Sequence, residues 1–181
     1  MKYQTIKKYL RPSRIMGRKS TFTNAFASAL APHDVYNPEI VAVAMRDLGQ
    51  NPESNLTCIY CGSEAATWDH LFNRVEAGYF SGHGHRIRNL VPSCRTCNEQ
   101  KGKKSWRVFL DSKNPVDKDL RIKRIEKFLN ATDAKPVTLD VMKQIAPDEM
   151  RRFAEIKDEV FRLMAEADDL AEVIRNKTHL S

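Results

Sequence analysis

Four cysteines fall in two Cys-x-x-Cys pairs, Cys58/Cys61 in CIYCG and Cys94/Cys97 in CRTCN, and the chain has no others. Two sulfurs three positions apart can chelate one ion, because a tight turn or a helix start aims both side chains the same way. Two such pairs supply the closed tetrahedral thiolate set that structural Zn²⁺ prefers, so one zinc per chain is expected. A redox dithiol would need only one pair, and a pair of disulfides is disfavoured inside a cell. Four thiolates leave no ligand position open for water. The zinc is therefore expected to stabilise the fold and not to catalyse.

The chain has 181 residues, with 30 Lys+Arg against 23 Asp+Glu and a net formal charge of +7. That length suits one domain with appendages. Its charge is uneven. Residues 1–33 carry Lys2, Lys7, Lys8, Arg11, Arg14, Arg18 and Lys19 and no acid, whereas residues 34–181 balance. A second basic island lies in 69–110. Such islands suit a polyanion, nucleic acid before an anionic membrane, and the alternative is a solvated arm. The longest apolar run, Ile40 to Met45, falls far short of the roughly 20 residues that span a bilayer. The basic N-terminus lacks the apolar stretch of a secretory signal. A cytoplasmic protein without membrane association is expected.

Between the cysteine pairs stand Asp69-His70 after the first pair, Asn89 in RNLVPSC, and Asn98 directly after the last cysteine in CNEQKG. In this order, interleaved with the cysteines, these residues resemble the HNH nuclease family and its ββα-metal fold, over about residues 56–106. The resemblance implies phosphodiester hydrolysis with His70 as general base. It also implies a catalytic Mg²⁺ or Mn²⁺ on Asp69 and Asn98, and Asn89 holding the histidine through a hydrogen bond. The residue types suit these roles. Histidine titrates near neutrality, and a carboxylate and an amide oxygen are hard donors for Mg²⁺. Asparagine stands where the family name implies a final histidine. In a strand Asp69 and His70 would point to opposite faces, so both serve one site only if the strand ends or bends there. Trp68 and Leu71 are expected in the core. The loop from Asn73 to Arg88 departs from the family pattern, with His83 and His85 as candidates to touch phosphate or metal.

Arg86 and Arg88 alternate about Ile87, as on one basic face of a strand. With Lys101, Lys103, Lys104 and Arg107 they form the expected phosphate-binding surface, and Arg14, Arg18 and Lys19 of the arm are a second candidate. Asn37-Pro38 reads as a helix start and Gly49 as its end, while Ser20 or Thr21 reads as the cap of an earlier helix. Near the C-terminus Phe153, Ile156, Val160, Leu163, Ala167, Leu170 and Ile174 step by three and four, which is an a/d seam. That helix either pairs with its symmetry mate or folds back. A homodimer is expected, which would place two single-strand-cutting sites on one duplex.

The expected fold is α+β and mostly helical, with a zinc-stabilised ββα-metal core between helical flanks. Residues 1–57 form a basic arm and helical region, 58–110 the nuclease core, and 111–181 a helical region with a packing or dimerisation helix over 148–176. The resemblance implies a metal-dependent endonuclease on double-stranded DNA, of a restriction or phage-defence kind. The alternatives are a non-catalytic zinc-stabilised nucleic-acid-binding module and a nicking or homing nuclease.

Overall fold

The computed structural model describes residues 2–132 and 136–178. Helices α1 (Lys19–Ala29) and α2 (Pro38–Asp47) precede strands β1 (Thr67–His70), β2 (Val75–Glu76), β3 (Tyr79–Phe80) and β4 (Leu90–Ser93). Helices α3 (Arg95–Lys101), α4 (Trp106–Lys113), α5 (Lys118–Asn130), α6 (Leu139–Ile145) and α7 (Pro147–Lys177) complete the order. The result is a mostly helical α+β fold. Two compact units form, one from Met1–Phe26 with Met142–Ser181 and the other from Ala27–Val141.

In the unit Ala27–Val141, β1 and β4 pair antiparallel, Thr67 opposite Ser93 and His70 opposite Leu90. Helix α3 follows β4 almost at once and packs on β1, so β1, β4 and α3 make the expected ββα unit. Local chemistry sets the boundaries. The Asn37 side chain accepts from the backbone N–H groups of Glu39 and Ile40 at 3.0 and 3.1 Å, ahead of Pro38 at the first turn of α2, as a capping asparagine does. Cys94 caps α3 with its sulfur, and the Ser105 hydroxyl caps α4. Helix α1 starts earlier than the caps suggested. It continues from the 3-10 turn Ile15–Arg18, so Ser20 and Thr21 lie inside its first turn.

The core of this unit gathers Ala44, Met45 and Leu48 of α2 with Tyr60, Leu71, Val91, Phe109, Ile125 and Phe128. Tyr60 meets Phe109 edge to face, ring centroids 5.0 Å apart. Leu71 is buried as expected, but Trp68 is not: it stays 45% exposed, on the same face of β1 as His70.

The other unit is held by one carboxylate and an aromatic cluster. Asp168 of α7, buried, accepts the backbone N–H groups of Ile15 and Met16 at 2.7 and 2.9 Å. Phe26 packs edge-on against Phe153 and Phe161. The stripe through Phe153, Phe161 and Met164 is thus covered by the chain's own N-terminal segment. Ile156, Leu163, Leu170 and Ile174 of the predicted seam remain 42–59% exposed.

Candidate active site and zinc cluster

The ligand atoms of Cys58, Cys61, Cys94 and Cys97 all lie within 4.8 Å of one another. Among the described residues this is the one cluster of metal-ligating side chains, and its thiolate set fits tetrahedral zinc. Its surroundings stabilise thiolates unequally. Burial opposes ionisation of Cys61, but the Ser63 hydroxyl and backbone and the neighbouring thiols bring it down to about 6. Burial, with the nearby Cys58, pushes Cys97 up. Arg121 of α5 donates to the carbonyls of Cys58 and Ile59 at 3.2 and 2.9 Å. This cation of α5 therefore braces the first knuckle.

At the end of β1, Asp69 and His70 do point to opposite faces. Asp69, 6% exposed, accepts the Tyr60 hydroxyl at 2.7 Å. The Lys101 ammonium stands 3.4 Å from each oxygen of that carboxylate and donates to the His70 carbonyl at 2.7 Å. Lys101 is only 1% exposed. The sequence puts Lys101 on a phosphate-binding surface, and the structure corrects this. Its position on α3 aims it at β1, where it neutralises a buried carboxylate.

His70 turns the other way. Its Nε2 lies 3.2 Å from His85 Nδ1, and Arg74 Nη1 lies 2.8 Å from His85 Nε2. A guanidinium can only donate, so His85 Nε2 accepts and its proton sits on Nδ1. That proton points to His70 Nε2, which must in turn accept. The chain of donors therefore leaves His70 neutral with its own proton on Nδ1. Burial, then the charges of Arg74, His85 and Lys101, lowers His70 from 6.5 to about 4. It is held as a neutral imidazole.

The loop that carries His85 is fixed by its backbone. His85 donates to the Pro32 carbonyl and accepts from Asp34, and a Cβ on Gly84 would stand 1.9 Å from the Pro32 oxygen, so only glycine fits there. Asn89, buried, donates to the carbonyls of Phe72 and Gly84 at 3.0 and 2.9 Å and accepts from Phe72 N–H at 2.8 Å. Its bonds thus go to the backbone on both sides of the histidine pair and not to the His70 ring. The expected hydrogen bond from Asn89 to the histidine is therefore replaced by bonds that tie Phe72 to Gly84. Asn98 directs its amide nitrogen to Thr67 Oγ1 and the Trp68 carbonyl, both at 3.3 Å, so its side-chain oxygen is turned from those contacts. Asp69, with lone pairs beyond its two present partners, and the Asn98 oxygen suit a hard divalent cation in donor type.

The remaining basic residues divide. Arg88 is committed inward, to Asp47 at 2.7 Å and over the Phe128 ring. Arg107 pairs with Glu126 and stacks on Trp106. Lys103 and Lys104 are exposed and Arg86 is half-buried. Arg14 lies 3.7 Å from Asp168, and Lys19 sits over the Phe161 ring. Together with Arg18, these belong to the other unit. His83 stacks on Phe72, ring centroids 4.5 Å apart, and makes no contact with His70. Arg74 and Tyr60, which touch the histidine pair and Asp69, were not singled out by spacing. The signals for them are slight: Tyr60 sits inside the first Cys-x-x-Cys, and Arg74 follows His70 by four positions.

The family model described as HNH endonuclease matches residues 58–104. No curated protein and no solved structure matches the chain. No helix among the described residues is long and apolar enough to cross a membrane. A four-cysteine cluster, a ββα unit and a histidine at the strand end coincide with the matched segment. Residues 58–104 of this chain are thus similar to the HNH endonuclease family, and the four-cysteine cluster fits that family's zinc site.

Proposed function

We propose that the chain is a metal-dependent DNA endonuclease whose general base is His70. The observation that carries this reading is the neutral imidazole of His70, set on the open face of β1 inside the segment similar to the HNH family and joined through His85 to Arg74.

In the free protein His85 caps the Nε2 lone pair of His70. A phosphodiester is a stronger partner for Arg74 than a neutral imidazole, because it is fully charged and matches the guanidinium fork. Once Arg74 turns to phosphate, His85 Nε2 no longer has to accept. The Nδ1 proton of His85 then passes to His70 Nε2. His70 gives its Nδ1 proton to water and His85 Nε2 takes one from water, so no net charge moves. His70 is left with an open Nδ1 lone pair for the attacking water. The anionic substrate also raises the His70 pKa back toward neutrality. Asp69 and Asn98 would hold Mg²⁺ or Mn²⁺ once the end of β1 turns the Asp69 carboxylate from Lys101 toward the His70 face, and the cation would supply Lewis-acid stabilisation of the phosphoryl and leaving oxygens. Lys101 and Tyr60 hold the Asp69 carboxylate in place, and Asn89 keeps the loop and the strand end in register.

Arg86, Lys103 and Lys104 contact phosphates around the site, and Arg14, Arg18 and Lys19 of the other unit bind nucleic acid in their own right. The exposed side of α7, Leu163 and Leu170 above all, pairs with a second copy, so that two single-strand sites act on one duplex. A restriction or phage-defence role in the cytoplasm fits a zinc-stabilised nuclease of this size. The test is plasmid nicking. Purified protein should cut only with Mg²⁺ or Mn²⁺ present, and His70→Ala should lose cutting while keeping zinc and DNA binding. A His70→Ala protein that still cuts would remove the assignment.

A further inference from the structure

A cavity of about 280 Å³ lies directly beside the histidine pair. Its lining includes Tyr36, Trp68, His85, Asp34, Ile87 and Met45. Of these residues only His85 is used by the chemistry above; Tyr36, Trp68 and Asp34 are not.

From these features we infer that the cavity is a nucleobase pocket, and that the substrate class is DNA with an unpaired or unstacked base next to the scissile phosphate. The inference rests on the nuclease reading and names the substrate of that same site. Four observations carry it. Trp68 and His70 share one face of β1, two residues apart, which is about 6.7 Å along a strand. A group bound at Trp68 is therefore a neighbour of anything bound at His70. Second, at about 280 Å³ the cavity lies at the small end of the roughly 300–1,000 Å³ range of ligand pockets and has room for a flat ring. Third, two of its rings are open to solvent, Trp68 at 45% and Tyr36 at 76% exposed. Tyr36 is brought there because the segment carrying Asp34 is bound to His85 through its backbone, and Trp68 because it alternates with the buried Asp69 along β1. Fourth, Asp34 spends one carboxylate oxygen on the Ile87 N–H at 2.8 Å, which leaves the other to accept from a base N–H.

The face-on character decides between paired and unpaired DNA. A base pair in a duplex offers only its edges in the grooves. Stacking on Trp68 or Tyr36 needs the face of a base, as single-strand binders use it, so the base has to leave the helix. Arg74 and Arg86, on either side of His85 in sequence, supply the positive charge that a polynucleotide needs and a neutral apolar ligand does not.

The experiment uses the full-length zinc-loaded protein in EDTA-free buffer without Mg²⁺, so that binding is read without cleavage. The probes are a mixed-sequence duplex, the same duplex with a single-base bulge, and one of its strands alone. The chain has two tryptophans, and Trp106 is buried, so quenching of the exposed Trp68 reports the pocket. The bulged duplex and the single strand should quench Trp68 and shield it from acrylamide, and should bind more tightly than the intact duplex. Losing one base–aromatic stack corresponds to roughly 5- to 150-fold in affinity. Trp68→Leu, and separately Tyr36→Ala, should therefore bring the bulged-to-intact affinity ratio close to one. Zinc content and circular dichroism check that each variant is folded. Equal quenching by intact and bulged duplexes, or an unchanged ratio in both variants, overturns the pocket. Trp68 shielding that depends on protein concentration without DNA would overturn it too, by placing a second copy there. If binding behaves as expected but no cation supports cleavage, the nuclease reading fails and the pocket stands.

Discussion

His70 Nε2 and His85 Nδ1 face each other at 3.2 Å, with Arg74 Nη1 2.8 Å from the far nitrogen of His85. Because Arg74 can only donate, a neutral His85 carries its proton on Nδ1 and His70 accepts it at Nε2. His85 and Arg74 are positioning residues for His70. In imidazole ¹⁵N spectra of the free protein, His70 should carry its proton on Nδ1. Phosphate-rich DNA should move it to Nε2. His85→Ala should slow cleavage by about tenfold, less than the roughly 10²–10⁴ that loss of the general base itself costs. His85→Asn keeps a donor near the Nδ1 position and should recover most of that loss. A His70 protonated on Nε2 before DNA is added would contradict the row.

His70 itself should matter more. Its removal as His70→Ala should lower single-turnover cleavage by about 10² to 10⁴, with DNA affinity nearly unchanged, since its neighbours Arg74, Arg86 and Lys103 carry the phosphate contacts. A loss confined to affinity would assign His70 to binding.

The Lys101–Asp69 pair sets up a double-mutant cycle. Lys101→Met leaves a buried carboxylate without its counter-ion, and Asp69→Asn leaves a buried ammonium without one. Each should cost about 3–5 kcal/mol by urea denaturation, and the double variant should cost less than their sum. Additive losses would mean that the two groups do not interact.

Acid should act through His70. An imidazole that titrates at about 4 when folded and at 6.5 when unfolded takes up a proton first in the unfolded chain. Its contribution is complete above pH 6.5 and is lost as pH falls toward 4. His70→Gln should therefore show a smaller fall in denaturation free energy between pH 7 and pH 5 than the parent protein. Identical falls would remove His70 from the acid response.

Zinc is expected to be part of folding. Cys58 is fully buried, and Cys58→Ser should lose zinc and the cooperative unfolding transition together, because the metal's binding energy is folding energy. A folded, zinc-free variant by circular dichroism and metal analysis would show that the hydrophobic core suffices.

The zinc ligands were legible because three-residue spacing is itself a chelating geometry, and the cap at Asn37 because a local side chain closes a local backbone donor. The destination of Lys101, Arg88 and Arg121 was not. In sequence all three are cations near a nuclease motif. They differ only in which partner the packed chain sets opposite them: Asp69, Asp47, and the carbonyls of Cys58 and Ile59. Trp68 shows the same limit. An apolar residue beside Asp69-His70 reads as core, yet strand alternation with the buried Asp69 turns it outward with His70.

Sequence alone therefore determined the cysteine cluster, the ββα unit with Asp69, His70, Asn89 and Asn98 as its polar residues, and the long helix α7. Each depends on spacing over a few positions. Tertiary structure alone decided that His85 and Arg74 stand behind His70, that Asn89 acts through the backbone of Phe72 and Gly84, and that α7 covers its own N-terminal segment through Asp168. The physical reason is range. A hydrogen bond between residues far apart in the chain depends on where packing brings the two backbones, and no local pattern records that.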